Sequence, residues 1–163
     1  MNNVHTTIEI AKDYLHFGAA HFTIFSATER ENLHGHNFFV TADMDCTVGP
    51  DGLAFDYNVI KQELKALCDH LDEKVLMPEK SPYLRLEQEG AYLVGIFNGE
   101  RIPFLKRDVL TLAVSNITVE ELAGHFLRML LATPRIAALP LQKLSIRVSS
   151  GPGQWAGAHW SKP

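Results

Sequence analysis

From His36 to Cys46 the chain alternates without a break. The even positions read Phe38, Val40, Ala42, Met44 and Cys46; the odd ones read Asn37, Phe39, Thr41, Asp43 and Asp45. A period of two sends successive side chains to opposite faces, so this segment predicts a long strand with one apolar face and one mostly polar face. The apolar face has to be buried against another layer, which restricts the chain to architectures built around a covered sheet. His34 and His36, with Gly35 between them, fall in register with the apolar face. Two imidazoles on one face of a strand, about 7 Å apart at Cα, can converge on one metal ion. His21 ends an earlier strand-like run, Phe17 to Phe22, and a third imidazole from a neighbouring antiparallel strand would complete three nitrogen ligands. Three protein ligands and one open position is the pattern of a catalytic zinc rather than a structural one. The competing reading is a set of buried histidines satisfied by ordinary hydrogen bonds, and the spacing alone does not choose between them. Gly35 adds one point: without a side chain it permits close approach of another backbone.

The remaining composition narrows the function classes. With 163 residues the chain is long enough for a single domain with a real core. A net charge of −4 and the absence of a basic stripe argue against nucleic acid as a partner. Cys46 and Cys68 are far apart and lack Cys-x-x-Cys spacing, which argues against both a disulfide scaffold and a thiolate zinc site. Both fall on expected core faces, where thiols are inert. No stretch has the pattern of a signal peptide or the length of a membrane span, so a cytoplasmic protein with no membrane partner is expected.

Along the chain, residues 5 to 24 read as a first extended strand bent near Gly18, residues 25 to 33 as a loop, and 34 to 47 as the second strand. Val48 to Gly52 form a turn by composition. Asp56 is expected to cap a helix running to about Leu71, buried along Ile60, Leu64, Leu67, Cys68 and Leu71. Residues 77 to 91 read as irregular. Asn98-Gly99 predicts a hairpin within Ala91 to Lys106, with Pro103 marking an edge strand. Thr118 and Glu121 form a capping box for a helix buried along Leu122, Phe126, Met129 and Leu130, which Pro134 ends. Leu144 to Val148 give the last strand, and Gly151 to Trp155 a turn-rich loop. The order predicts an α+β domain: an antiparallel β-sheet with two helices on one face and an inserted β-hairpin. One domain spans 1–163, with about 77–115 as the insertion.

Several motifs together are similar to the 6-pyruvoyltetrahydropterin synthase family. They are Ala19-Ala20-His21, Leu33 to Phe38, Phe55-Asp56-Tyr57, Leu71-Asp72, Thr118-x-Glu120-x-Leu122-Ala123 and Pro152-Gly153-Gln154. That family includes the bacterial 6-carboxytetrahydropterin synthases of queuosine biosynthesis. The resemblance implies a tunnelling fold assembled as a homo-oligomer, trimers stacking into hexamers, whose closed barrel removes free sheet edges. It implies Zn2+ on His21, His34 and His36, and a small-molecule substrate such as 7,8-dihydroneopterin triphosphate or a related pterin of folate-related metabolism. The expected activity is that of a lyase on the pterin side chain, breaking a carbon–oxygen or carbon–carbon bond.

The chain departs from the family pattern where the chemistry sits. The family's cysteine base, commonly four residues before the first histidine of His-Gly-His, is Arg30 here. Glu29 and Glu31 are the nearest proton-transfer candidates, and Glu31 is the candidate base, as some family members use a glutamate in this loop. The competing reading is a pair of solvated carboxylates around Arg30. A carboxylate base would need its pKa raised. The family's Asp-His pair aligns with Asp72-Glu73; the histidine is lost, and His70 could replace it only if the helix has already ended. The family's pterin-anchoring glutamate aligns with Ser150, a single hydroxyl where a charged bidentate acceptor is usual. Two enzymatic readings follow. One is a zinc-dependent lyase with Glu31 as base, Asp72 and Glu73 assisting, and Ser150 at the substrate. The other is a zinc protein of the same fold with altered chemistry on a non-pterin small molecule. A non-catalytic metal-bearing oligomer is a third.

Overall fold

The computed structural model describes residues 4–163. The long alternating strand is there: β3 (His34–Thr47) is the spine of a seven-stranded sheet. One edge of β3 is shared by two antiparallel partners, β1 (His5–Ile10) on its C-terminal half and β2 (His16–His21) on its N-terminal half. The expected single first strand is thus two. The interruption falls at residues 11–15 rather than at Gly18: the chain advances six residues from Ile10 to His16 while their partners on β3, Ala42 and Phe39, are only three apart. The surplus loops out, closed by Leu15 N–H donating to the Lys12 carbonyl at 2.9 Å. Its polar members Lys12, Asp13 and Tyr14 face solvent while Leu15 is driven into the core.

The helices follow their apolar stripes. α1 (Asn58–Leu71) buries Ile60, Leu64, Cys68 and Leu71. Its start is one residue later than Asp56 alone would set: Tyr57 occupies the cap position, and Asp56 accepts from the Asn58 N–H at 3.0 Å. α2 (Val119–Ala132) begins at Thr118, whose hydroxyl accepts from the Glu121 N–H as expected of a capping box. Its buried residues are Leu122, Ala123, Phe126, Leu127 and Leu130; Met129 is 44% exposed and is not part of the core. Positions 122, 126 and 130 already define the stripe, and 129 lies to the side of it. Pro134 ends α2 and opens the short α3 (Pro134–Ala137). Both long helices pack on the apolar face of the sheet, where Phe17, Phe38, Val40, Ala42, Met44, Ile146 and Val148 meet them.

Several short strands escape the sequence patterns. β4 (Lys74–Pro78) runs parallel to β2, and β8 (Val109–Leu112) parallel to β4, so the sheet is antiparallel on one side of β2 and parallel on the other. Between them the chain leaves the main sheet and builds a three-stranded antiparallel sheet from β5 (Leu84–Glu89), β6 (Tyr92–Phe97) and β7 (Glu100–Leu105). Asn98 and Gly99 turn β6 into β7 with φ of 47° and 80°, the pair of positive values that a tight hairpin of this hand requires. Pro103 sits on β7, an edge strand. β5 occupies part of the region expected to be irregular. β9 (Leu141–Ser149) covers the other edge of β3, and β10 (Ala156–Ser161) follows the turn-rich loop.

The face of the sheet away from the helices is polar and pairs with itself. Arg147 on β9 bonds Glu9 at 2.8 Å and Asp43 at 3.2 Å, and Lys143 bonds Asp45 at 3.3 Å.

Candidate active site

Register brings the three histidines together. His21 on β2 lies directly across from His34 on β3, and His36 lies two residues further on the same face. Their candidate ligand atoms all fall within 4.8 Å of one another, and the Nε2 atoms of His34 and His36 are 3.0 Å apart. A Cβ at Gly35 would stand 3.3 Å from the Ala19 carbonyl oxygen, so a glycine there lets the two strands keep this approach.

The outer nitrogens decide what the inner ones can do. His21 Nδ1 meets the Ile117 carbonyl at 2.9 Å, and His34 Nδ1 meets the Asn32 carbonyl at 2.8 Å. Each carbonyl accepts, so each Nδ1 carries the proton and each Nε2 turns a lone pair inward, which is how metal-binding imidazoles are held. His21 is buried, and its Nε2 has no hydrogen-bond partner. A buried polar atom left unpaired is costly, and a metal ion shared with His34 and His36 would satisfy it. Burial foremost, then the neighbouring imidazoles, lowers the pKa of His21 and His36, so both are neutral and ready to ligate at neutral pH. The three residues fit a divalent metal.

A cavity of about 260 Å³ opens in front of the triad. Glu31 and Ser150, both singled out from the sequence, line it; Thr23, Glu120 and Gln154, which were not, line it too. Glu120 belongs to the Thr118-x-Glu120 motif, and the first turn of α2 carries it to the cavity wall because Asn116 and Ile117 dock on β2 and the segment after it. Ser150 is held by Gln154, whose amide donates to the Ser150 hydroxyl at 2.7 Å.

Glu31 approaches the triad from the loop. Residues 23 to 31 close on themselves: Glu31 N–H donates to the Thr23 carbonyl and Thr23 N–H donates to Glu31 Oε2, both at 2.9 Å. The same oxygen, Oε2, lies 3.9 Å from His34 Nε2. Burial pushes the Glu31 carboxyl up, but the Thr23 hydrogen bond and the imidazoles of His34 and His21 outweigh it, and the net shift is downward. The raised pKa expected of a carboxylate base is therefore not found; Glu31 is ionised across the neutral range. Glu29 is exposed and does not line the cavity. Arg30 turns the opposite way, over the rings of Phe22 and Phe97.

Asp72 and Glu73 stand elsewhere. Asp72 ends α1 and accepts the Gly18 N–H at 2.7 Å, while Glu73 N–H donates to the Gly18 carbonyl at 2.8 Å. Glu73 lines a second cavity of about 500 Å³ with Gly18, Gly35, Asn37, Lys74 and Asp108, which His36 also borders, and neither acid lines the triad's own cavity within one chain. His70 is still inside α1 and exposed, so it does not replace the missing imidazole.

Three converging imidazoles, two of them with their outer nitrogens fixed by backbone carbonyls, an open side and an ionised carboxylate at that opening make a site that could hold a metal ion on an α+β sheet. Comparison with known proteins makes this specific. The family model for 6-pyruvoyl tetrahydropterin synthase matches residues 9–159, and the chain belongs to that family of lyases acting on pterin side chains. A Methanocaldococcus jannaschii protein provisionally named a 6-carboxy-5,6,7,8-tetrahydropterin synthase is 26% identical over 150 residues, covering 91% of this chain and 90% of its own. The structure of Plasmodium falciparum 6-pyruvoyl tetrahydropterin synthase superposes with a TM-score of 0.90 at 25% identity, covering 99% of this chain and 100% of the other. The Plasmodium vivax enzyme gives the same TM-score at 23% identity, covering 98% and 99%. The tunnelling fold expected from the motifs is the fold observed.

Proposed function

We propose that the protein is a zinc-dependent lyase that acts on the side chain of 7,8-dihydroneopterin triphosphate or a closely related pterin, with Glu31 as its base. The observation that carries this reading is the position of the Glu31 carboxylate, 3.9 Å from His34 Nε2 at the open side of the triad. His21, His34 and His36 would hold the ion. Zinc bound there would polarise the oxygens of the substrate side chain as a Lewis acid and stabilise the charge left by proton removal.

The chain's own residues do the rest. Thr23 N–H fixes one Glu31 oxygen, which orients the carboxylate toward the cavity. Glu31 takes a proton from the substrate side chain; held as an ionised, weak base, it works on a proton that the site has made acidic. A solved Plasmodium vivax relative is described as carrying a mutation of a catalytic glutamate, which supports a carboxylate in this role. Glu120 is the carboxylate on the cavity wall that can accept from the 2-amino and ring N–H groups of a pterin, the task for which Ser150 offers a single hydroxyl.

A cavity of about 260 Å³ is smaller than the roughly 300–1,000 Å³ usual for small-molecule sites. It accommodates the reacting end of the substrate, and a second copy of the chain would complete the enclosure. In such a trimer or hexamer the Asp72–Glu73 corner of one copy would serve the triad of another, the route by which these acids could assist proton transfer.

The test is Glu31→Gln. With the metal content unchanged, turnover of 7,8-dihydroneopterin triphosphate should fall by about 10²–10⁴-fold, the usual contribution of a positioned base. Unchanged turnover would remove Glu31 from the mechanism. The reading of altered chemistry on a non-pterin substrate rests on Ser150 standing where the family has its anchor; ordinary pterin affinity that falls at least tenfold on Glu120→Gln would set it aside.

A further inference from the structure

We infer that Arg30 is a positioning residue for Glu31: it pins the loop that carries the base to the small β5–β7 sheet, so that sheet sets the geometry of proton transfer. The inference rests on Glu31 acting as base and adds to that reading the group that holds it in place.

The contacts are specific. Arg30 Nη1 donates to the carbonyl of Glu31 itself at 2.8 Å. The guanidinium carbon lies 4.8 Å from the centre of the Phe22 ring and 5.7 Å from that of Phe97, so the cation is held against both faces. Nη2 reaches Glu100 at 3.5 Å. Phe97 ends β6 and Glu100 begins β7, either side of the Asn98-Gly99 turn. Phe22, Ile24, Met77, Leu84 and Phe97 form a second buried cluster, separate from the main core, that joins the loop to this sheet.

Extended backbone explains the division of labour. Arg30 pairs with Ile24 across the loop, and neighbours in such a segment point to opposite sides. Glu31 then faces the imidazoles because Arg30 faces Phe22 and Phe97. The Arg30 hydrogen bond falls on the peptide that follows Glu31, and the Thr23 bonds fall on its N–H and its carboxylate. Together they fix the residue from both ends. Lysine has the charge but not the flat fork that can stack on a ring while donating to a carbonyl. A base displaced by about 1 Å can lose about a hundredfold in rate.

The experiment compares the wild type with Arg30→Met, Arg30→Lys, Glu31→Gln and the double variant Arg30→Met/Glu31→Gln, using 7,8-dihydroneopterin triphosphate as probe. Metal content is measured, and amide hydrogen exchange is followed on peptides covering residues 22–33. Arg30→Met should lower kcat by about tenfold to a hundredfold with KM and metal content little changed, Arg30→Lys should recover part of it, and the segment 22–33 should exchange faster while β2 and β3 do not. In the Glu31→Gln background the Arg30 change should cost nothing more, because the base it positions is gone. Equal losses in both backgrounds, or exchange in 22–33 that is unchanged by Arg30→Met, would overturn the inference. If Glu31→Gln alone leaves turnover intact, the assignment of the base fails instead. If no variant turns over the pterin, the exchange result still decides whether Arg30 orders the loop.

Discussion

The β2–β3 pair has a cavity on each side, and the two are built on opposite plans. On the helix side, His21 and His34 present nitrogens whose other ends are already committed to backbone carbonyls, His36 joins them from the same strand face, and Glu31 is held by Thr23. On the other side, the Asp72 carboxylate is spent on the fold: it accepts the Gly18 N–H from the end of α1, while Glu73 meets Gly18 through its backbone N–H. The first plan leaves reactive atoms free at fixed positions. The second uses a carboxylate to satisfy a backbone N–H and leaves only part of its capacity for anything else. The same residue types therefore carry different meanings on the two sides of one strand pair, according to where each lone pair and proton already goes.

The largest effect should come from the helix side. His34→Ala removes a half-exposed ligand with little damage to the core, and should abolish both stoichiometric metal binding and turnover; elemental analysis of the purified variant checks the first. If the variant keeps its metal, the triad is not the site. Next comes the mixing test across the two cavities. Asp72→Asn and Glu31→Gln, each nearly inactive alone, should regain turnover when co-refolded, since a mixed oligomer contains sites with both native acids. Absence of recovery would confine Asp72 to its bond with Gly18. That bond is charge-assisted, and removing its acceptor with Asp72→Ala should cost about 1–3 kcal/mol in denaturant unfolding.

Glu73 sharpens the same contrast. Its φ of 58° is a left-handed conformation that suits glycine. Glu73→Gly should raise stability by about 1 kcal/mol; if turnover nevertheless falls, the carboxylate has a chemical role that the backbone does not explain. The smallest effect concerns pH. Below the ordinary histidine value of 6.5 the unfolded chain binds protons that folded His21 and His36, with lowered pKa values, resist. The metal-free protein should thus lose stability as pH falls below about 6.5, and metal should be released over the same range. Glu31, already depressed below 4.5, contributes nothing to a limb in that window. Thermal melts from pH 5 to 8, with and without zinc, check both statements.

Much of this was legible before the structure. Strict alternation gave β3 and the face of His34 and His36; the capping box gave the start of α2; Asn98-Gly99 gave the hairpin. These are signals that a few adjacent residues carry on their own. What the sequence hid depends on distant partners. β4 and β8 are short, parallel and paired to each other across more than thirty residues, so no local period announces them. Met129 looked apolar enough for the core, and only the packing of α2 shows it lying off the buried stripe. Glu29 and Glu31 could be named as candidates around Arg30 but not assigned sides, because that depends on Phe22 and Phe97 meeting across the molecule. Glu120 was visible within a motif, yet its place on the cavity wall follows from how Asn116 and Ile117 dock.

The most direct test is to incubate the zinc-loaded protein with 7,8-dihydroneopterin triphosphate and identify the products by mass spectrometry, beside the His34→Ala variant. The account predicts a metal-dependent product with a shortened or rearranged side chain, absent from the variant. Unchanged substrate with the fully loaded wild type, or the same product from the variant, would contradict it.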